Sequence, residues 1–291
     1  IEGVTFLAGE ALFAAAQEQV DALEAEGCDY IVCLGHLGID DESAGNRSVD
    51  LLAEVSGIDV FIDGHSHSTM EDIAAVAEGN QVGDTVTAST GTKLANIGKM
   101  TITAEGQVST ELVNGYTEVD AETDAFVKNI QAQYEDKLNE VVAKSDVDLV
   151  VMDPATGNRL IRNQETNLGN LCADAYRTVL GADIAFVNGG GIRADIPAGD
   201  ITYGQVIAVH PFGNTACVVE ATGQEIADAL EMTARSTPGE NGGFLQVSGL
   251  KYTIDLNIAS SVKLDDKSMF VAVEGLRRVK NIQVLNQAGE Y

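Results

Sequence analysis

The sequence predicts an α/β protein, α+β overall, built as two units on either side of one long helix. Three observations lead there. Up to Asp63, short apolar runs that end in glycine and histidine alternate with helical patterns, and such alternation marks a parallel sheet. From Thr85 the pattern changes to consecutive strand-like runs, so the first unit closes in antiparallel strands near Tyr116. A helical stretch from Asp120 to Val142 then precedes a second alternation of strand and helix beginning near Ser145. The expected organisation is a first unit over 1–118, a connector helix over 119–144 and a second unit over 145–291.

Taken in order, Leu12, Ala16, Val20 and Leu23 recur at helical spacing between Glu10 and Glu26, and Gly27 stops that helix. Tyr30-Ile31-Val32-Cys33-Leu34-Gly35-His36 reads as a buried parallel strand with a histidine at its carboxyl end. Ser48 to Val55 is a short helix, and Asp59 to Asp63 is the next buried strand, running at once into Gly64-His65-Ser66-His67. Thr85 to Ser89, Asn96 to Thr103 and Val108 to Val113 are strands, with Glu105-Gly106 turning between the last two. Asp120 is the N-cap of the long helix, whose apolar face carries Phe126, Ile130, Tyr134, Leu138 and Val141.

In the second unit Asp148 to Met152 is a strand, and Asn167 to Leu180 is a helix with Leu168, Leu171, Cys172, Ala175 and Val179 inward. Ile184 to Val187 is a strand that runs into Asn188-Gly189-Gly190-Gly191-Ile192-Arg193. Thr202 with Gln205, and Thr222 with Glu225, form capping boxes that start two more helices. Strands at Ala216 to Glu220 and Leu250 to Leu256 flank the second of these, and Gln287-Ala288-Gly289 is turn-like.

Composition narrows the partners. The 291 residues include 17 basic and 45 acidic ones, a net charge of −28. Nucleic acid and anionic lipid bind through clustered Lys and Arg, so neither is an expected partner. A phosphate-bearing substrate needs a local reversal of field, from metal ions or a few placed arginines. No apolar run approaches the roughly 20 residues of a membrane span. Cys28, Cys33, Cys172 and Cys217 form no CxxC pair. Cys33, Cys172 and Cys217 lie in apolar patterns as small hydrophobes, so neither a zinc–thiolate site nor a disulfide framework is expected. The opening Ile1-Glu2-Gly3-Val4 has no basic region, cleavage signal or initiator methionine, as expected of a mature or excised segment.

Two constellations carry chemistry. Three of the four histidines, His36, His65 and His67, sit at two strand ends of one sheet. Ligands collect at that edge of α/β folds, and neutral imidazole is the commonest protein ligand for borderline divalent metals. A single histidine after a strand is ordinarily a loop residue bonded to backbone or water; three at two adjacent ends favour a metal. The second constellation is Asn188 to Arg193. It lacks the spacing of a dinucleotide fingerprint and the Gly-Lys-Ser/Thr ending of a P-loop. Its glycines let the backbone approach a ligand closely and adopt positive φ. Arg193 is a charged fork suited to carboxylate or phosphate, and Arg162 lies just ahead of the Asn167 helix. Phe212, in His210-Pro211-Phe212-Gly213-Asn214, is a loop aromatic able to stack a base. One by one, these residues also read as a tight turn, surface arginines and a hydrophobic plug.

On these residues the chain resembles the 5′-nucleotidase family, the two-domain secreted nucleotidases that include bacterial UDP-sugar hydrolases and ecto-5′-nucleotidase. Gly35-His36 and Gly64-His65-Ser66-His67 match the last two metal motifs of its calcineurin-like metallophosphatase domain, and Thr90-Gly91-Thr92 through Gly98 match the strand that follows. Arg162 to Leu171, Asn188 to Arg193 and Pro211-Phe212-Gly213 match its C-terminal substrate domain. The resemblance implies the C-terminal half of a metallophosphatase β-sandwich, then an α/β substrate-binding domain. It implies His36 and His65 as ligands of one ion of a dinuclear zinc or manganese site, and His67 of the other. It implies Arg162, Asn188, Gly190, Gly191 and Arg193 around the nucleoside sugar, with Phe212 as one face of a base clamp. The family's Asp-x-His, bridging Asp and Gly-Asn-His-Glu motifs, which supply the catalytic His and Asp, do not occur in these residues, nor does its Gly-Gly-Asp-Gly-Tyr/Phe motif. The chain is therefore expected to be an interior segment of a longer protein, inactive alone and located outside the cell, in the periplasm or on the cell wall. The implied activity is hydrolysis of nucleotide phosphomonoesters. A 2′,3′-cyclic-nucleotide phosphodiesterase/3′-nucleotidase, a UDP-sugar hydrolase and a non-catalytic nucleotide-binding module remain open beside it.

Overall fold

The computed structural model describes residues 5–77, 81–265, 269–286 and 288–291. The opening Ile1 to Val4, and Gln287 of the expected turn, lie outside the described residues. The chain divides into two compact units, Ile1–Glu118 and Val119–Tyr291.

The first unit begins with α1 (Glu10–Glu26), which ends where Gly27 enters the left-handed region. It continues with β1 (Val32–Leu34), α2 (Ser48–Glu54), β2 (Val60–Ile62), α3 (Met70–Val76), β3 (Gln81–Val82) and β4 (Thr85–Ala88), and closes with the hairpin β5 (Ile97–Ile102) and β6 (Val108–Val113). The sheet order is β1-β2-β4-β3; β1, β2 and β4 are parallel, while β3 runs antiparallel to β4. The βαβ alternation of the sequence is thus the parallel sheet it predicted. One expectation fails. β1 is an edge strand with Val32 and Leu34 exposed, so its apolar run marks a strand but not a buried one. The core instead gathers Val20, Leu51, Leu52, Val55, Ile58 and Phe61. Phe61 has a structural consequence. A Cβ at Gly35 would come within 2.2 Å of its ring, so only glycine lets the chain leave β1 beneath it.

The second unit contains α4 (Ala121–Leu138), β7 (Val141–Ser145), α5 (Asn167–Leu180), β8 (Ala185–Asn188), β9 (Gly199–Thr202), α6 (Tyr203–Val209), α7 (Gly223–Thr233), β10 (Leu245–Ser248), β11 (Leu250–Ile254), β12 (Val262–Leu264), β13 (Phe270–Val273) and β14 (Val279–Val284). Its strands pair two by two and antiparallel: β7 with β9, β8 with β10, β11 with β14, and β12 with β13. The N-caps read from the sequence form at Asp120, Thr202 and Thr222, and Thr166 caps α5 as well, each side chain accepting from the backbone N–H three residues on.

Five sequence expectations change here. The long helix stops at Leu138, because the β-branched Val141-Val142 opens β7, which pairs with β9 instead. The expected inward face of α4 is exposed; no residue of that helix is buried. Asp148 to Met152 forms only two isolated bridges, Leu149 with Ile196 and Met152 with Arg159. Ala216 to Glu220 is not a strand: it pairs with no strand among the described residues, and Cys217, Val218 and Val219 are exposed. The inward stripe of α5 is also rotated. Leu168, Gly169, Cys172 and Ala173 are buried, whereas Leu171 and Val179 face outward. The small residues select that face, since a Cβ at Gly169 would stand 2.1 Å from Gln246 Oε1 on β10.

Candidate functional site

The first constellation grows from the parallel pair. β1 and β2 run in register, with Leu34 opposite Ile62, so the loops that follow them emerge side by side. They bring the His36 and His65 rings to 5.1 Å between centroids, edge to face. Both histidines are exposed, as is His67. His65 and His67 sit at φ 77° and 59°, a region costly for a residue with a side chain. The loop is held there by neighbours. Ser89 Oγ donates to Ser68 O at 2.6 Å, and Gly91 N donates to the same carbonyl at 2.9 Å. The Asp63 carboxylate accepts from backbone N–H groups on both loops.

Asp40 and Glu42 were not legible as site residues. Each offers one ligand atom, together with His65, within 4.8 Å of one another; His67 lies outside that group. Their signal was only an acidic Asp40-Asp41-Glu42 run shortly after His36, common in a chain of this charge. The histidine and carboxylate donors suit a borderline divalent ion such as zinc, or manganese.

In the second unit the end of β8 leads Asn188 into one 3₁₀ turn, Gly189–Gly191. None of the three glycines has positive φ, contrary to expectation. Gly189 and Gly190 are glycine because backbone crowds them, while Gly191 faces the Asn188 side chain. A Cβ at Gly189 would lie 2.0 Å from Ile161 O, and one at Gly190 would lie 2.8 Å from Gly242 O. Gly189 N donates to Phe244 O at 2.7 Å and Gly190 N to Gly242 O at 2.8 Å. Asn188 Nδ2 reaches Gly242 O at 3.4 Å. Arg162 joins the same strip, its carbonyl accepting from Asn241 N at 3.0 Å. Arg193 N donates to Val209 O at 3.0 Å, which places the Pro211-Phe212 loop beside it. The Arg193 guanidinium stands 5.7 Å from the centroid of the Phe212 ring, within cation–π range. Phe212 remains 60% exposed. His210 is pushed below the ordinary histidine pKa by burial, partly offset by a bond to the Gly191 backbone; its ring tilts against Tyr176 at 5.7 Å.

Two supporting residues were missed. Gln246, buried on β10, donates from Nε2 to Ile161 O and Gln164 O at 3.0 and 2.8 Å and accepts from Thr166 N at 3.2 Å, fixing the backbone around Arg162. Asn241, also buried, donates to Thr233 O at 3.2 Å and accepts from Gly243 N at 2.9 Å. A polar residue alternating with apolar ones on a strand gives no hint of burial; Gly242-Gly243 was the one visible sign of a tight strip.

The structure thus gathers His36 with His65, and Asn188, Gly190, Gly191 and Arg193 with Phe212 and the Arg162 backbone. Residues 141–290, just over half of the chain, match the family model of the 5′-nucleotidase C-terminal domain. The chain belongs to this family. It is 35% identical over 260 residues to the trifunctional nucleotide phosphoesterase protein YfkN of Bacillus subtilis, covering 84% of this chain and 17% of that protein. It is 34% identical over 172 residues to a 5′-nucleotidase of Vibrio parahaemolyticus, covering 59% of this chain and 30% of the relative. The crystal structure of a 5′-nucleotidase precursor from Thermus thermophilus superimposes with a TM-score of 0.66 at 28% identity, covering 95% of this chain and 54% of that one. The chain spans less than a third of the length of these curated relatives and about half of that solved chain. Among the described residues no helix is long and apolar enough to cross a membrane.

Proposed function

We propose that the protein to which this chain belongs hydrolyses nucleotide phosphomonoesters with two divalent metal ions, as a 5′-nucleotidase. The observation that carries the reading is the convergence of the His36 and His65 rings at 5.1 Å on the ends of adjacent parallel strands. His36 and His65 hold one zinc or manganese ion, and His67 contributes to the other. Bound divalent ions supply positive charge against phosphoryl oxygens and lower the pKa of a coordinated water. They also provide the positive field that a chain of net charge −28 otherwise lacks.

The second unit presents the nucleoside. Arg162, Asn188, Gly190, Gly191 and Arg193 surround the sugar, and the exposed ring of Phe212 stacks the base. The division into a metal-bearing unit over 1–118, a connector over 119–144 and a nucleoside-presenting unit over 145–291 is part of this reading. So is a location outside the cytoplasm, as the family resemblance implies.

Product formation by the intact protein with zinc or manganese, as adenosine and phosphate from AMP, a ring-opened AMP from 2′,3′-cyclic AMP, and UMP and glucose 1-phosphate from UDP-glucose, tests the proposal. The expected result is AMP turnover that a chelator abolishes, with none above background from residues 1–291 alone. An intact protein that binds AMP without releasing phosphate overturns it in favour of a binding module. Faster turnover of the cyclic or sugar-linked substrate overturns the choice of phosphomonoester.

A further inference from the structure

The two histidine loops meet at one oxygen atom. Asp63 directly follows β2, and its backbone N–H donates to Ala88 O on β4 at 2.8 Å, so the residue is anchored to the middle of the sheet. Its Oδ1 accepts three amide hydrogens: Leu37 N at 3.0 Å, Gly38 N at 3.1 Å and Gly64 N at 2.8 Å. Leu37 follows His36 in the chain, and Gly64 precedes His65. One carboxylate oxygen therefore gathers the backbone flanking both rings. Bonds from N–H groups to an ionised carboxylate are stronger than neutral ones, and no single neutral side-chain oxygen replaces them at equal strength.

The loops close tightly on this point. A Cβ at Gly64 would stand 3.0 Å from His36 Nδ1, and one at Gly38 would stand 2.9 Å from Ser66 N. The rings themselves are exposed, with no core packing to set their separation.

We infer that Asp63 is a positioning residue: its carboxylate sets the spacing of His36 and His65, and through it the affinity of the metal they hold. The metal part rests on the function proposed above; the spacing part does not. Groups that orient metal ligands from behind change affinity roughly 10- to 100-fold when removed.

The experiment uses the full 291-residue chain with Asp63→Ala, Asp63→Asn and a His36→Ala/His65→Ala/His67→Ala variant. In metal-free protein the nuclear Overhauser effect between the His36 and His65 rings is recorded, with amide exchange at Leu37, Gly38 and Gly64 and along β1, β2 and β4. Zinc affinity is then read by competition with a chromophoric chelator. The expected outcome for Asp63→Ala is loss of the ring–ring effect, faster exchange at those three amides, unchanged protection along the strands, and zinc binding weaker by about 10- to 100-fold. Asp63→Asn, which keeps an acceptor but no charge, should fall between Asp63→Ala and the parent.

Retention of both the ring–ring effect and the parent zinc affinity in Asp63→Ala overturns the inference. So does loss of strand protection together with the three amides, since that marks a merely structural role. Should Asp63→Ala not fold, Asp63→Asn decides by the same readouts, and its failure to fold also counts against positioning. Equal zinc binding by the parent and the triple-histidine variant would instead sink the metal reading, while the ring–ring measurement still reports on Asp63.

Discussion

The two constellations are held in opposite ways. In the first unit, exposed histidines stand on loops stitched together by a few hydrogen bonds, most of them to Asp63 and Ser68. In the second, the glycine turn is wedged between the backbone at Ile161 and the strip from Gly242 to Phe244, above a buried Gln246. Substitution should therefore cost chemistry at the histidine loops and stability at the glycine turn.

One substitution made in both places gives the largest contrast. Gly189→Ala drives a Cβ to 2.0 Å from a backbone carbonyl that cannot swing away. It should destabilise the second unit by about 3 kcal/mol, at the upper end of overpacking costs. Gly64→Ala meets His36 Nδ1 at 3.0 Å, the end of a ring that can rotate, and should cost no more than about 1 kcal/mol. Thermal unfolding of the two variants checks this; equal losses would break the contrast.

Next in size is Phe212. Each base–aromatic stack is worth roughly 1–3 kcal/mol, so Phe212→Ala should weaken nucleoside binding about 5- to 150-fold. Stability should stay within about 0.5 kcal/mol, because the ring is exposed. Adenosine titration followed by a thermal melt tests both halves, and an unchanged titration removes Phe212 from the site.

The glycine turn should also show a pH signature. Burial, the larger influence, holds His210 below the ordinary histidine pKa, so the unfolded chain takes up its proton first as pH falls. Its contribution is fully present above about pH 6.5 and is lost as pH falls through the lower folded value. His210→Gln should flatten that acid-side slope relative to the parent; an identical pH dependence of the melting temperature would contradict it.

The smallest effect concerns the thiols, which are all free. Cys28 and Cys217 are exposed and should react readily with iodoacetamide. Cys172, pushed up to about 11 by burial in the second core, should react only on unfolding. Mass mapping of the labelled sites distinguishes them.

By itself the sequence determined every element whose signal is local. The bounds of α1, α5 and β6 follow from helical spacing, glycine stops and a run of strand formers. The parallel sheet and its histidine-tipped strands follow from alternation, and nearly all of the candidate site residues stood in short motifs. The tertiary structure alone decided whatever depends on a distant partner. Val141-Val142 became a strand because β9 lay beside it, and Cys217 to Val219 stayed unpaired because no strand among the described residues did. The glycines of Gly189–Gly191 read as conformational freedom, yet Gly189 and Gly190 are required by backbone that comes from elsewhere in the chain. Asp63 read as the polar end of a strand, and only folding brought the amides of a second loop to its carboxylate. Propensity and periodicity act over one or two turns of chain, whereas steric crowding and hydrogen-bond acceptance depend on what folding places within about 3 Å.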